Sequence, residues 1–413
     1  MSMNKGRKRL AINTMMLYVL TLSNYVFAFI TVPYLTRVLG PALYGVIGFA
    51  VATMTYFQLI IDFGFILSAT ADITKNKNDK NTIARIFTSV TVAKLLLAII
   101  CSLILFSLCL IIPQIREYPQ VFALYMCYTI CNALLPDFLY RGMENMKPIT
   151  YRTVSVKLIM TLSIFILVKS SEDLIMVPLL YMLGSLLAVV IAYIDIHKRF
   201  EVKIIKIKIE DVVGCIKKSA PFFISRIAST VYGATNTFLL GLVYPGQPVV
   251  GYYTSADKIV AVARAGASPI ADSLYPYLIN KRDFSLVRKI IKVLMPIIIF
   301  MGVLLFIFAP EICILLFGKL YVDSSIALRA LVPTMVLVLP NYIMGFPMMT
   351  PLGIEKKANI SIVYGACLQI VIIAGLWLTG WFSMLTVCIS TSITEASIFM
   401  YRSIAVWKKL KNN

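Results

Sequence analysis

The feature that most constrains this chain is a run of about twenty apolar residues that returns roughly every thirty positions, with short polar connections between the runs. The hydrocarbon core of a bilayer is ~30 Å thick and takes roughly 20 apolar residues per helical span. Sixty per cent of the 413 residues are hydrophobic and 14 per cent are charged, which is more apolar than a soluble domain of this length needs. The sequence therefore predicts an all-α integral membrane protein.

The apolar runs, and the charges, Pro and Gly residues that bound them, predict about twelve transmembrane helices. The first six fall near 11–32, 43–66, 86–112, 119–140, 154–168 and 176–196. The second six fall near 220–242, 249–279, 287–309, 324–345, 359–379 and 381–401. Because the longest polar connection follows the sixth helix, the predicted domains are an N-terminal six-helix lobe at 1–197, a cytoplasmic basic linker at 198–218 and a C-terminal six-helix lobe at 219–413.

Lys and Arg residues predict the orientation, because positively charged loops stay in the cytoplasm. Thirty of the 39 Lys and Arg residues lie at the two termini and in the alternate connections that share their side of the membrane, including the four between Arg141 and Lys157. We therefore expect both termini to be cytoplasmic. The net charge of +20 is explained in the same way. Since the basic residues sit between apolar spans and not on a solvated patch, we expect membrane lipids and no nucleic acid as partners.

The sequence carries no pattern typical of a reaction centre. Its eight cysteines and single histidine, His197, form no cluster with metal-ligand spacing. There is no Walker loop, no nucleophile elbow and no extracytoplasmic loop long enough for a chemical site. We therefore predict a protein that is not an enzyme and that has no metal and no cofactor. A membrane-embedded glycosyltransferase is disfavoured because it would need acidic residues on a sizeable loop.

Five basic residues remain at apparent membrane depth, where a charge costs ~2.5 to 3.5 kcal/mol and usually faces a cavity or a partner. They are Lys94, Arg226, Lys258, Arg264 and Arg329. Several cations at one cavity would suit an anionic ligand, especially a phosphate or pyrophosphate group. The candidate substrate-binding residues are Arg226, Arg264, Lys258, Lys94 and, at the outer end of the first helix, Arg37. For Lys94 and Arg226 the alternative is snorkelling to the cytoplasmic interface.

The eighth predicted helix carries the clearest charge pattern. Spacings of four, three, four and four residues place one set on a single helical face: Asp257, Ala261, Arg264, Ser268 and Asp272. Either the aspartates neutralise Arg264 within the helix, or this face is the wall of a wet, charged cavity. Asp62, set among apolar residues of the second helix, could pair with Lys94 or bind a coupling cation. The candidates for ion coupling or charge pairing are thus Asp62, Asp257 and Asp272.

The two halves of the chain contain similar glycine motifs. Gly40–Gly45 (GPALYG) corresponds to Gly246–Gly251 (GQPVVG) at an offset of 206 residues, and Gly142-Met143-Glu144 corresponds to Gly353-Ile354-Glu355 at an offset of 211. Each pair follows the equivalent predicted helix of its half. Since each half has six spans, the pattern favours a duplication whose repeats share one orientation in the membrane.

Three segments of the first half resemble bacterial polysaccharide repeat-unit flippases of the O-antigen type. They are Val32–Ala50 (VPYLTRVLGPALYGVIGFA), Asp62–Ala71 (DFGFILSATA) and Pro136–Lys147 (PDFLYRGMENMK). The second half matches mainly in the number of spans and in Gly353-Ile354-Glu355. The resemblance implies the multidrug/oligosaccharidyl-lipid/polysaccharide (MOP) exporter superfamily, with two six-helix lobes around a central cationic cavity and alternating access.

The same resemblance implies an activity and its partners. The substrate would be an undecaprenyl-pyrophosphate-linked oligosaccharide for O-antigen, lipopolysaccharide or another surface polysaccharide, moved from the inner to the outer leaflet of the bacterial cytoplasmic membrane. A polysaccharide polymerase and a chain-length regulator would be protein partners. One alternative is a multidrug and toxin extrusion exporter, which the surplus of membrane-depth cations disfavours. Another is a flippase for lipid-linked peptidoglycan precursor, which fits the first-half motifs less well.

Overall fold

The structure is a computed structural model that describes the backbone of residues 2–411 and the side chains of residues 12–411, except those at 225, 228, 229, 231 and 232. No strand occurs in the described backbone. The helices of the first half are α1 (Ser2–Asp62), α2 (Phe65–Lys75), α3 (Lys80–Ile111), α4 (Pro113–Glu117), α5 (Pro119–Leu134), α6 (Asp137–Gly142), α7 (Lys147–Leu167) and α8 (Met176–Phe200). Those of the second half are α9 (Ile209–Val243), α10 (Pro248–Lys281), α11 (Phe284–Ile307), α12 (Ala309–Phe317), α13 (Ser324–Met344), α14 (Phe346–Met349), α15 (Glu355–Leu378) and α16 (Met384–Lys411). Two 3₁₀ turns, Ser171–Ile175 and Lys319–Tyr321, precede α8 and α13.

The described helices match the twelve predicted spans. Nine helical segments of the described chain are long and apolar enough to cross a membrane, and the first of them, Ile12–Lys75, is 64 residues long and holds the first two spans. The seventh and eighth spans are α9 and α10, which are 35 and 34 residues long but carry more charged and polar side chains. The all-α membrane fold predicted from the apolar runs is confirmed.

Glycine residues end or bend the helices of the first two spans. α1 is kinked at Gly40, which has a φ of 73° and a ψ of 172°. The break between α1 and α2 places Gly64 at a φ of 78°, where a Cβ would meet the backbone nitrogen of Phe223 at 2.9 Å. Both positions need a left-handed backbone, which glycine adopts without steric cost. Asp62 is therefore the last residue of α1, directly before a bend.

The chain divides into two compact units. Unit 1 contains the chain up to Leu39 together with Phe49–Thr230, and unit 2 contains Gly40–Gly48 together with the chain from Val231 onward. In unit 1, α2, α3 and α6 enclose a core of large apolar side chains that includes Phe65, Phe87 and Leu139. In unit 2, α13 packs against α10, α11 and α16, and its core includes Leu278 and Ile343.

The two halves repeat their turns as well as their helices. Gly40 and Gly246 have nearly the same φ, 73° and 70°, which agrees with the offset of 206. After the fourth span of the first half, the amide of Asn145 donates to the Tyr140 carbonyl at 2.9 Å, and in the second half that of Ile354 donates to Met349 at 2.9 Å. These bonds are 209 residues apart. The offset of 211 residues that the sequence match gave was therefore wrong by two. The residue with a positive φ in this turn is Glu144 in the first half and Gly353 in the second, which are 209 residues apart.

The third span of each half begins with an aspartate N-cap. The Asp79 carboxylate accepts hydrogen bonds from the backbone amides of Asn81 and Thr82, and the Asp283 carboxylate accepts one from Ser285. The hydrogen bonds from the side chain and backbone of Thr82 lower the pKa of Asp79, and those from Ser285 lower the pKa of Asp283. Both caps bind an otherwise unpaired helical donor, which fixes where the membrane span starts.

The polar connection predicted at 198–218 is divided between the ends of two helices and a short non-helical segment. Residues 198–200 are the end of α8, and residues 201–208 form no helix. From Ile209 onward the connection is the first part of α9. The non-helical part lies along unit 1, where the amide of Ile205 donates to the Thr88 hydroxyl at 3.2 Å and Val202 is buried.

Candidate functional site

Lys94 and Asp62, both predicted from the sequence, lie together inside unit 1. The Lys94 ammonium is 3.4 Å from a carboxylate oxygen of Asp62 and donates to the Ala133 carbonyl at 2.5 Å. It also lies 5.7 Å from the ring centroid of Phe138. Gln58 donates to the other carboxylate oxygen at 2.9 Å. The side chain of Lys94 is 5 per cent exposed, so its charge is compensated in the interior and does not snorkel to the interface.

The eighth span, α10, presents its charged face in unit 2. Asp257 and Arg264 are half-buried, whereas Lys258 and Asp272 are exposed. The Ser268 hydroxyl donates to Asp272 at 3.0 Å, which agrees with a shared helical face. Asp257 and Arg264 both interact electrostatically with the buried hydroxyl of Tyr253. The helix thus holds charges of both signs around one buried phenol.

The other predicted cations lie in different surroundings. Arg37 is exposed on α1 just before the kink, and Arg226 is half-buried on α9. Arg329, near the start of α13, is half-buried; its Nε donates to the Phe306 carbonyl at 3.0 Å and its guanidinium lies 5.7 Å from the Phe306 ring centroid. Arg329 therefore occupies the end of its helix, where a long side chain reaches the interface.

Sequence reasoning missed two cations of the fifth span. It began that span at residue 154 and placed Arg152 and Lys157 among loop charges, but α7 begins at Lys147. Arg152 is buried and its Nη2 donates to Asp137 at 2.7 Å. Pro148, in the first turn of α7, is the signal that could have located the start, since proline is favoured there. Both cations therefore lie on α7, a helix of unit 1 that is long and apolar enough to cross a membrane.

A cavity of about 370 Å³ lies within unit 1, lined by α1, α5, α6, α7 and α8, and its lining residues are half polar and half nonpolar. Its polar lining side chains are Asn24, Thr31, Tyr128, Asn132, Asp137, Thr153, Lys157, Thr161, Tyr181 and Ser185. The Lys157 ammonium donates to the Asn24 side-chain oxygen at 2.6 Å, and the Asn132 amide donates to the Tyr128 hydroxyl at 3.2 Å. The cavity therefore combines one ammonium group with amides, hydroxyls and phenol rings.

Unit 2 contains a buried hydrogen-bond network that no sequence motif indicated. The Asn236 amide donates to the Tyr253 hydroxyl at 3.1 Å and to Thr391 at 2.8 Å. The Gln369 amide donates to the Asn236 oxygen at 3.1 Å, and Thr394 donates to the Gln369 oxygen at 2.7 Å. These side chains come from α9, α10, α15 and α16 and join the four helices. Single polar residues on separate apolar helices give no periodic signal, so only the fold brings them together.

A metal site is not formed by the described residues, among which no three His, Cys, Asp or Glu side chains come close enough to hold an ion. The cysteines within the described chain are all free thiols.

Comparison with solved structures defines the class of fold. The chain resembles an inward-facing multidrug resistance MATE family transporter of the MOP superfamily, with a TM-score of 0.65, 16% identity and coverage of 98% of both chains. It also resembles the lipid II flippase MurJ in an inward closed conformation, with a TM-score of 0.63, 14% identity and coverage of 96% of this chain and 87% of that one. The chain thus has the fold shared by these membrane transporters.

Sequence comparison then gives the family. The profile of the polysaccharide biosynthesis protein family matches residues 10–281, and the chain belongs to that family. A relative from Shigella dysenteriae, described as "Putative O-antigen transporter", is 27% identical over 399 residues, which cover 95% of this chain and 99% of the relative. The resemblance drawn from the first-half motifs is confirmed. The protein is a multi-pass protein of the bacterial inner membrane.

Proposed function

We propose that this protein is a flippase that moves undecaprenyl-pyrophosphate-linked oligosaccharide repeat units of a surface polysaccharide from the inner to the outer leaflet of the cytoplasmic membrane. The observation that carries this proposal is the similarity to an O-antigen transporter along almost the whole of both chains. The fold supports it, since a protein that flips lipid II shares that fold. The protein acts as a transporter and not as an enzyme.

The physical task explains why such a protein is needed. Sugar hydroxyls and a pyrophosphate cannot cross hydrocarbon unaided, because each unpaired polar group costs several kcal/mol there. A polar passage that opens to one side at a time removes that cost. We assign both termini to the cytoplasm. An inside-negative membrane potential of 100 mV favours the outward movement of one negative charge by about 2.3 kcal/mol.

The membrane-depth cations are the residues we assign to the pyrophosphate. Arg226 and Arg264 can each form charge-assisted, two-pronged hydrogen bonds to phosphate oxygens. Lys258 and Arg37 are exposed and add positive charge, and Lys94 contributes through its pair with Asp62. Asp257 and Asp272 are assigned to charge balance or ion coupling on α10.

The organisation of the chain fits the same activity. We propose that the lobes 1–197 and 219–413 arose by duplication, joined by the basic linker 198–218 at the cytoplasmic surface. The equal turn geometry at Gly40 and Gly246 supports this. A polymerase and a chain-length regulator are the expected protein partners, because they use the exported repeat unit.

Deletion of the gene tests the activity. We expect lipid-linked repeat units to accumulate on the inner leaflet and the surface polymer to disappear, with both restored by the wild-type gene. Leaflet accessibility of the labelled lipid-linked glycan and an immunoblot of surface polysaccharide are the measurements. Normal surface polysaccharide in the deletion strain contradicts the proposal, whereas arrested cell-wall synthesis indicates a peptidoglycan precursor as the substrate.

Replacing Arg264 or Arg226 by alanine tests the assigned cations. Each substitution removes charge-assisted hydrogen bonds worth about 1.5 to 3 kcal/mol, so we expect export to be roughly ten- to a hundredfold slower with normal membrane insertion. Arg116→Ala, at an exposed arginine of α4, is the matched control and leaves export unchanged. If both variants export at the rate of that control, these arginines do not bind substrate.

A further inference from the structure

Lys157 is a cation of unit 1 that lies at the middle of a long apolar helix. It is the central residue of α7, Lys147–Leu167, with ten residues on either side. At a rise of about 1.5 Å per residue, it lies roughly 15 Å from each end of the span. An ammonium group at that depth is costly unless it faces a partner or a cavity. Lys157 lines the cavity formed by α1, α5, α6, α7 and α8, so its ammonium group faces a cavity.

The bonding of Lys157 leaves capacity for a ligand. Its ammonium donates to the Asn24 side-chain oxygen at 2.6 Å. None of the ion pairs formed by residues that the structure describes includes Lys157. An ammonium group has three donors, and one amide oxygen satisfies only one of them. By contrast, Asp137 at the same cavity is compensated by Arg152 at 2.7 Å.

The remaining lining of the cavity combines neutral hydrogen-bonding groups with aromatic rings and with aliphatic side chains such as Ile149 and Met160. Asn132 and Thr161 supply donors and acceptors of neutral hydrogen bonds. The rings of Tyr128 and Tyr181 lie 5.8 Å apart, edge to face, and offer both apolar surface and phenol oxygens. The volume of about 370 Å³ lies within the usual range for small-molecule sites, about 300 to 1,000 Å³.

We infer that this cavity is a binding site for a sugar residue of the transported glycan, an inference that rests on the proposed function. A sugar has hydroxyls that donate and accept hydrogen bonds and an apolar ring face that packs on tyrosine. Asn24, Asn132 and Lys157 bind the hydroxyls, or a carboxylate of an acidic sugar, and Tyr128 and Tyr181 contact the ring. A pyrophosphate fits less well, because its multiple charges need several cations and the cavity offers one uncompensated ammonium group among the described side chains.

Lysine footprinting of the wild-type protein tests the site directly. The full chain in lipid nanodiscs is acetylated with acetic anhydride, with and without the oligosaccharide released by mild acid from the strain's own surface polysaccharide, and each lysine is quantified by mass spectrometry. We expect a several-fold lower modification of Lys157 with the glycan and no change at Lys169, an exposed lysine just beyond α7. Protection by inorganic pyrophosphate and not by the glycan overturns the inference in favour of a phosphate site, and no protection by either also overturns it.

Two variants separate binding from folding. Lys157→Met keeps the length of the side chain and removes its donors, so we expect about tenfold weaker glycan binding by calorimetry, with a melting temperature no lower than that of the wild type. Tyr181→Leu removes the ring and weakens binding in the same way, whereas Lys169→Met has no effect. Unchanged glycan affinity in both variants overturns the site while leaving the deletion test of the flippase activity unaffected.

Discussion

Lys94→Met is expected to lower the stability of the protein by about 3 kcal/mol, because it breaks a buried ion pair by removing one partner. The substitution removes the ammonium group that lies 3.4 Å from Asp62 and leaves a carboxylate that is only 21 per cent exposed without its cation. It also removes the donor to the Ala133 carbonyl. Thermal unfolding of the purified protein in detergent measures the change.

Two further variants identify the cause of that effect. Adding Asp62→Asn to Lys94→Met removes the uncompensated charge and keeps an acceptor for Gln58, so we expect it to restore most of the lost stability. Lys80→Met, at the first residue of the same helix, breaks an exposed pair with Glu201 and changes stability by less than about 1 kcal/mol. Equal losses for Lys80→Met and Lys94→Met would show that burial of the pair is irrelevant.

Gly251→Ala is expected to prevent close packing of α10 in unit 2 and to lower the stability by about 1 to 3 kcal/mol. A Cβ at this position would overlap the backbone carbonyl oxygen of Pro41, an atom that no side-chain rotation can move. Its counterpart in the first half, Gly45, would place a Cβ 3.0 Å from the Gly251 amide nitrogen. The motifs Gly40–Gly45 and Gly246–Gly251 thus pack against each other, with Gly251 beside both Pro41 and Gly45.

Gly266→Ala is the matched control on the same helix. A Cβ there meets no atom within 4 Å. Alanine is favoured over glycine inside a helix by about 1 kcal/mol, so this variant is expected to be neutral or more stable. The melting temperature and the amount of folded protein in membranes are therefore expected to fall in Gly251→Ala and to stay equal or rise in Gly266→Ala. A loss of equal size at both positions would mean that helix flexibility, and not the contact with Pro41, governs the effect.

The fold could be predicted closely because each span is an apolar run of sufficient length. The predicted spans at 324–345 and 176–196 differ from α13 and α8 by only a few residues. The predicted start of a helix was wrong where its first turns contain charged residues. Arg152 and Lys157 read as loop residues, although α7 includes both. Counting Lys and Arg residues gives the charge of a loop only when the ends of the neighbouring helices are known.

The site could be predicted only in part, because its residues meet through tertiary packing. Asp62 is charged and lies among apolar residues, so a partner could be proposed, and Lys94 lies beside it. The cavity around Lys157 draws on α1 and on the helices α5 to α8, which lie about a hundred residues or more further along the chain. Neutral residues such as Asn132 and Gln369 carry no signal in a single sequence, and their roles depend on neighbours that only the structure gives.

The network around Asn236 and Gln369 has a consequence for how the protein responds to the two compartments that it separates. Its described members are amides, aliphatic hydroxyls and the Tyr253 phenol, whose ordinary pKa is about 10. None of these groups gains or loses a proton between about pH 4 and pH 9. The hydrogen bonds that join α9, α10, α15 and α16 therefore persist when the medium outside the cell turns acidic.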